Sequence, residues 1–254
     1  MTTPFEIAAR ELADRRRAGR LGPGLAADGR PADIAGALAM QRRVAELLGD
    51  AIGGWKAAMP APGRLIVAPL FVPTLRRSSP ATVRVRGTMA TIEPEVAFVL
   101  ARDLPPRERP YAEAEVRAAI SEARLVLELM GNRYEDPAAV TFPEILADFA
   151  NNQALYVGPV APSALDGPLD RIAITIDTPA GRLMTLDGRH PDGHPLMPLT
   201  WLANFLPTQG RHLRAGDIVT TGSYAGAFDV PLEVPLTIVF GELGTLDVEL
   251  IALK

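Results

Sequence analysis

The segment Thr91-Ile92-Glu93-Pro94-Glu95-Val96-Ala97-Phe98-Val99-Leu100 sets two carboxylates around a proline at the head of an apolar, β-prone run. That composition predicts a strand entering the core. Residues two apart on a strand share a face, so Glu93 and Glu95 converge. Two carboxylates at that range repel and cannot be buried without a positive partner. A hard divalent cation held by oxygen ligands is an economical partner. On this segment alone, a solvated strand end with Pro94 at an edge is the simpler account.

Two further stretches change the weighing. Arg124-Leu125-Val126-Leu127-Glu128-Leu129-Met130 buries a carboxylate in an apolar strand, which is costly unless Glu128 meets a cation or a base. A salt bridge to Arg124 or Arg133 would satisfy it, but with Glu93 and Glu95 it completes a three-carboxylate set suited to magnesium or manganese. Gly53-Gly54-Trp55-Lys56 places one of only two lysines in the chain on a short extended segment entering a loop. Near a bound substrate Lys56 could act as general acid or base, provided its surroundings depress its pKa; in isolation it reads as a surface lysine.

Composition bounds the alternatives. The 254 residues are 48% hydrophobic and 22% charged, ordinary for a globular chain, with a net charge of −4 that gives no footprint for nucleic acid. The absence of cysteine excludes disulfides, thiolate metal sites and cysteine nucleophiles. With His190, His194 and His212 the only histidines, a histidine-rich zinc site is not expected. No apolar run reaches membrane-spanning length and Met1-Thr2-Thr3-Pro4-Phe5-Glu6 lacks a signal-peptide pattern, so no membrane partner and a cytoplasmic location are expected.

Along the chain, Ile7, Ala8, Leu12 and Ala13 predict a first helix ending in a solvated basic cluster of Arg15, Arg16, Arg17 and Arg20. Asp33 caps a second helix whose Ile34, Leu38, Gln41 and Ala45 share a face. Small strands are expected at 65–67 and 83–85, a helix at 110–121, a strand at 124–130 and a helix at 142–152. The last third reads as strands at 172–176, 218–221, 236–240 and 246–251, interrupted by a helix at 199–206. Strands and helices do not alternate regularly, so the fold class is α+β with a curved or rolled sheet. Residues 1–50 are expected to form an N-terminal helical segment and residues 51–254 an α+β domain that carries the candidate metal-binding and catalytic residues.

Taken together the motifs resemble the 2-oxopent-4-enoate hydratase and 4-oxalocrotonate decarboxylase group of the fumarylacetoacetate hydrolase superfamily. They are Ala39-Met40-Gln41, Gly54-Trp55-Lys56, Ile92-Glu93-Pro94-Glu95-Val96-Ala97-Phe98, Leu127-Glu128 with Arg133, and Ala147-Asp148. His194-Pro195-Leu196, Trp201-Leu202-Ala203-Asn204, Ala215-Gly216-Asp217, Thr221-Gly222-Ser223 and Gly244 follow in order.

The resemblance implies the superfamily's mixed, rolled β-sheet core, with Mg2+ or Mn2+ on Glu93, Glu95 and Glu128 as the only cofactor. It implies a small 2-oxo acid or its enol as substrate, proton handling by Lys56, and Asp148 and Ser223 lining the same pocket. It further implies a homo-oligomer, or a complex with a related subunit.

The chain departs from the family pattern at Ala58-Met59-Pro60-Ala61, where a glycine and a Thr-Ser pair are usual, and at Phe149-Ala150-Asn151-Asn152, where Asn-Ala-Ser-Ser is usual. Met59, Phe149, Ser223 and Arg133 are therefore expected at the substrate. Arg64 and Arg86 are further candidates, with Arg133, for a second substrate carboxylate. The expected activity is a metal-dependent lyase hydrating a short 2-hydroxydienoic acid, with Thr221-Gly222-Ser223 favouring hydration. The alternatives are decarboxylation of a 4-oxalocrotonate-like acid, C–C hydrolysis of an acylpyruvate, or a non-catalytic paralogue that binds a 2-oxo acid. No histidine precedes His190 to activate a water for the hydrolysis.

Overall fold

The computed structural model describes residues 2–253, and its fold is α+β around a rolled mixed sheet. Two helices open the chain, α1 (Pro4–Ala18) and α2 (Ile34–Leu48). The strands β1 (Ile52–Ala57), β2 (Val67–Phe71), β3 (Leu75–Arg76), β4 (Ala81–Val83) and β5 (Met89–Leu100) follow. Then come α3 (Glu113–Arg117), β6 (Ile120–Met130), α4 (Phe142–Ala147), β7 (Asn152–Val160), β8 (Arg171–Thr178) and β9 (Gly181–Arg189). The chain closes with α5 (Leu196–Phe205), β10 (Ile218–Thr220), β11 (Phe228–Pro231), β12 (Pro235–Phe240) and β13 (Thr245–Ala252).

The larger sheet runs β2-β1-β10-β5-β6-β7-β3, with β11 also on β5. Its first and last strands, β2 and β3, are joined by the single turn Val72–Thr74, so the sheet curls back on itself. Leu70, Ala97, Val126, Leu155, Val157 and Ile218, drawn from strands across the whole sheet, form one cluster and fill the concave side. The alternate residues Ile92, Val96, Phe98, Leu125, Leu127 and Leu129 face the other way. They join the main core with the second sheet, β4-β13-β12-β8-β9.

Pro94 lies in the middle of a strand paired on both sides, not at an edge. On one side it faces Leu127 of β6; on the other it falls in the gap between β10, which ends opposite Ala97, and β11, which begins opposite Ile92. The ladder has no donor to lose at that point, which is why a proline is tolerated there.

Asp33 caps α2 by accepting from the Gly36 amide. Gln41 then ties α2 down, donating to the carbonyls of Val67 and Leu146 at 2.9 and 2.8 Å. The helices pack Leu12, Met40 and Val44 onto Ala68, Phe71 and Phe149 in a separate cluster. The basic end of α1 is not a solvated cluster as expected: Arg15 and Arg16 turn inward onto buried acceptors, while Arg17 and Arg20 stay exposed.

The predicted helix at 110–121 shrinks to α3, because from Ile120 onward the side chains alternate in and out and pair with β5. The predicted helix at 142–152 stops at Ala147, and the backbone turns left-handed from Phe149 to Asn151. The strands expected at 65–67 and 83–85 are shifted to β2 and β4. The sequence does not announce β3, β7, β9 or β11. β9 is a mostly exposed edge strand and lacks the apolar alternation that marks a buried one.

Candidate active site

Glu93 and Glu95 point into the concave side of the roll from β5, and β6 sets Glu128 directly opposite Glu93. One carboxylate oxygen from each of the three lies within 4.8 Å of the others. Glu95 and Glu128 are buried and Glu93 is half-buried, so the trio sits at an inner end of the roll. The cross-strand register carried by the apolar residues of β5 and β6 thus brings the charges together.

Lys56 is the counter-charge. From β1 it donates to Glu128 Oε1 at 2.6 Å and to the Ala150 carbonyl at 3.1 Å. Asn152 Nδ2 donates to the same Glu128 oxygen at 2.9 Å. Glu95 Oε2 accepts from the Gly222 amide at 2.9 Å. Gly222 holds φ 121°, and an added Cβ would lie 3.0 Å from Pro191, so glycine is what lets this amide reach Glu95.

The electrostatics record an excess of negative charge. Burial and the Glu128 carboxylate push Glu93 up to about 7. Burial, with Glu128 and Glu93, pushes Glu95 up to about 8. For Lys56, burial works to depress the ammonium, but the three carboxylates, Glu128 foremost, outweigh it and raise its pKa. One lysine does not balance three carboxylates.

The donor set fits a hard divalent cation. All three candidate ligands are oxygens, and Glu128 Oε2 is buried without a hydrogen-bond partner. An unpaired buried carboxylate oxygen is expensive unless something positive reaches it. Glu144 is the contrast. It is equally buried, but Leu25, Thr141 and Arg30 satisfy its oxygens, and it is structural.

Several expected site residues lie elsewhere. Phe149 is fully buried among the helices, edge-on to Phe71 at 5.2 Å, so it is a core residue and not a substrate contact. Asp148 is not free to handle protons: Arg16 Nε donates to one oxygen at 3.0 Å, and the Arg133 amide and Nε to the other at 2.9 and 3.3 Å. Arg133 is correspondingly no open fork, since it also donates to the carbonyls of Gly131 and Asn152. Arg86 is spent on the carbonyls of Tyr134 and Glu135. Arg64 is exposed and its charge is felt at Glu93.

Ser223 is half-buried beside β5, its single O–H within reach of the Pro94 and Gly226 carbonyls at 3.2 and 3.1 Å. Met59 is half-buried, and its amide donates to Asp192 at 3.0 Å, which links the loop after Lys56 to the segment His190–His194.

Four groups near the site escaped the sequence reading. They are Asn152, the Ala150 carbonyl, Thr220 and His190. Thr220 is level with Lys56 in the β1–β10 register, and its hydroxyl is buried and unpaired. His190, not His194, is the histidine behind Gly222, its ring against Tyr224 and its Nε2 3.8 Å from where a Gly222 Cβ would stand. Only the run Thr220-Thr221-Gly222 hinted at this corner, through a glycine beside two buried hydroxyls.

No family model matches the chain. The chain is 31% identical over 134 residues to a 2-keto-4-pentenoate hydratase of Paraburkholderia xenovorans (strain LB400), a match covering 52% of this chain and 48% of that protein. The chain thus spans about half the length of the curated relatives it matches. Its fold superposes on 4-oxalocrotonate decarboxylase from Pseudomonas putida G7, complexed with magnesium and adipate, with a TM-score of 0.77 and 21% identity over 96% of both chains. Maleylpyruvate hydrolase from Sphingobium sp. SYK-6, in complex with manganese(II) ion and pyruvate, matches at a TM-score of 0.52 and 15% identity, over 79% of this chain and 71% of that one. The resemblance carried by the motifs therefore holds: half of the chain is similar in sequence to 2-keto-4-pentenoate hydratases, and nearly all of it takes the 4-oxalocrotonate decarboxylase fold.

Proposed function

We propose that the chain is a divalent-metal-dependent hydro-lyase that adds water to a short 2-hydroxydienoic acid such as 2-hydroxypenta-2,4-dienoate. The observation that carries this reading is the trio of buried Glu95 and Glu128 with half-buried Glu93, with one unpaired oxygen and a single lysine beside it. The three glutamates would hold Mg2+ or Mn2+, whose Lewis-acid charge would polarise the carboxylate and 2-oxo group of the substrate.

The chain's own residues have separable tasks. Asn152 and the Gly222 amide fix the orientation of Glu128 and Glu95. Lys56 holds its proton firmly at Nζ while the carboxylates are free; its pKa would fall once a cation offsets them, letting it deliver that proton to substrate carbon and take one back. The net change moves the enol proton to C5, then adds water at C4 with a proton to C3, so atoms and charge balance. The apolar interior of the roll keeps other water from the site.

Hydration is preferred to decarboxylation because the sequence relatives are hydratases. A cytoplasmic homo-oligomer is part of this reading, and light scattering on the purified chain tests the assembly. Ultraviolet absorbance of 2-hydroxypenta-2,4-dienoate, followed with Mg2+ and again after chelation, tests the activity. Metal-dependent loss of the dienoate is expected. Release of CO2 from 2-oxohex-3-enedioate instead would move the assignment to a decarboxylase.

A further inference from the structure

Three consecutive residues that carry side chains, Phe149, Ala150 and Asn151, hold φ values of 60°, 49° and 63°. Left-handed backbone is disfavoured for every L-residue, and glycine alone takes it without steric penalty. Such a run persists only where its surroundings over-determine it. This turn also touches the chemistry at two points: Ala150 offers its carbonyl to Lys56, and Asn152, which closes the turn, donates to Glu128.

Arg16 of α1 holds the turn at both ends. Its side chain is 8% exposed, with Nε on Asp148 Oδ1 at 3.0 Å. Its Nη2 bonds the Asp148 carbonyl at 3.2 Å and the Asn152 carbonyl at 2.5 Å. The guanidinium lies 4.3 Å from the centre of the Phe149 ring, pinning the first left-handed residue into the core. One planar fork thus draws together the carbonyls that begin and end the turn, a task that a lysine's point charge cannot perform. Arg133 braces the same carboxylate from the other side.

We infer that Arg16 is a positioning residue for the proposed reaction, clamping the left-handed turn 148–152 that sets Lys56 and Glu128. The inference rests on the proposed role of Lys56. It makes the first helix part of the catalytic apparatus, although Arg16 and Asp148 stand 132 positions apart.

The test uses Arg16→Lys, which keeps a positive charge beside Asp148 but gives up the fork, and Arg16→Gln, which gives up both. Both variants are expected to lose about 100-fold in kcat, the cost of misplacing a reacting group by about 1 Å, with KM changed less than about twofold. Adding Ala150→Gly to either variant relieves the left-handed backbone and should recover kcat by at least about fivefold.

Because the chain has only two lysines, 13Cε-lysine NMR resolves Lys56 from Lys254 without any turnover. The Lys56 resonance should move in Arg16→Gln and return in the double variant. If the native chain consumes no dienoate, the functional reading fails, and the NMR arm still decides whether Arg16 positions Lys56. Native kcat in Arg16→Lys, an unmoved Lys56 resonance in Arg16→Gln, or a kcat loss that Ala150→Gly leaves untouched would each overturn the inference.

Discussion

Replacing Lys56 by Met removes the ammonium bonded to Glu128 while keeping all but the last atom of the side chain's length. Lys56 is 7% exposed, Glu95 2% and Glu128 0%, so the ammonium is not replaced by bulk water. Breaking a buried pair by deleting one partner costs about 3–5 kcal/mol. The loss should depend on pH, because Glu93 and Glu95 sit at about 7 and 8. At pH 6 both carry protons with or without Lys56, so the variant loses less. At pH 8.5 the native chain has released those protons, whereas without the lysine both carboxyls rise further, so the variant must hold protons or bury unpaired charge. In a chain of this size about 3 kcal/mol lowers Tm by roughly 6–12 °C. Metal-free Lys56→Met should show that fall at pH 8.5 and about half of it at pH 6. Saturating Mg2+ should restore most of it, since a cation bound to the folded state supplies the missing charge. Differential scanning calorimetry at the two pH values, with and without Mg2+, reads all four cases. An equal fall in all four would refute the charge argument and leave Lys56 as a packing residue.

Other consequences are open to direct measurement. The two raised glutamates favour the folded state below their unfolded value of 4.5, and that contribution is lost as pH rises through about 7 to 8. The Tm of the metal-free native chain should carry a falling contribution across that window, and Mg2+ should flatten it. His190 acts in the opposite sense: burial, then His194, pulls it down to about 4, so its contribution is present above 6.5 and fades as pH falls toward 4. His190→Gln should therefore abolish an acid-side loss of roughly 2 kcal/mol, read from denaturant melts at pH 7 and pH 4.5. Phe149→Ala should cost about 3–5 kcal/mol of stability as a core truncation. A normal melting curve with a raised KM would return Phe149 to the substrate.

The parts of this molecule that sequence could reveal are those governed by local period. The unbroken apolar, β-prone runs after Glu95 and around Glu128 announced β5 and β6, and once both are strands their carboxylates can meet. Lys56 stood out because lysine is so rare in the chain. The rest depends on partners far apart in sequence. Arg16 reads as helix-end charge until Asp148 is seen beneath it. Phe149 was placed at the substrate by the family pattern, whereas the left-handed turn rotates its ring into the helix core. The helix expected over 110–121 failed for a related reason. Ala112, Val116, Ala119 and Ile120 satisfy a helical period, but Ile120 is claimed by pairing with Leu100.

The account stands on a divalent cation at Glu93, Glu95 and Glu128. The most direct test follows 2-hydroxypenta-2,4-dienoate by ultraviolet absorbance with the chelated chain, the same chain reloaded with Mg2+, and a reloaded Glu93→Gln/Glu95→Gln variant. The prediction is turnover in the reloaded native chain alone. Equal turnover by the chelated chain or by the double variant would contradict it and remove the three carboxylates from the chemistry.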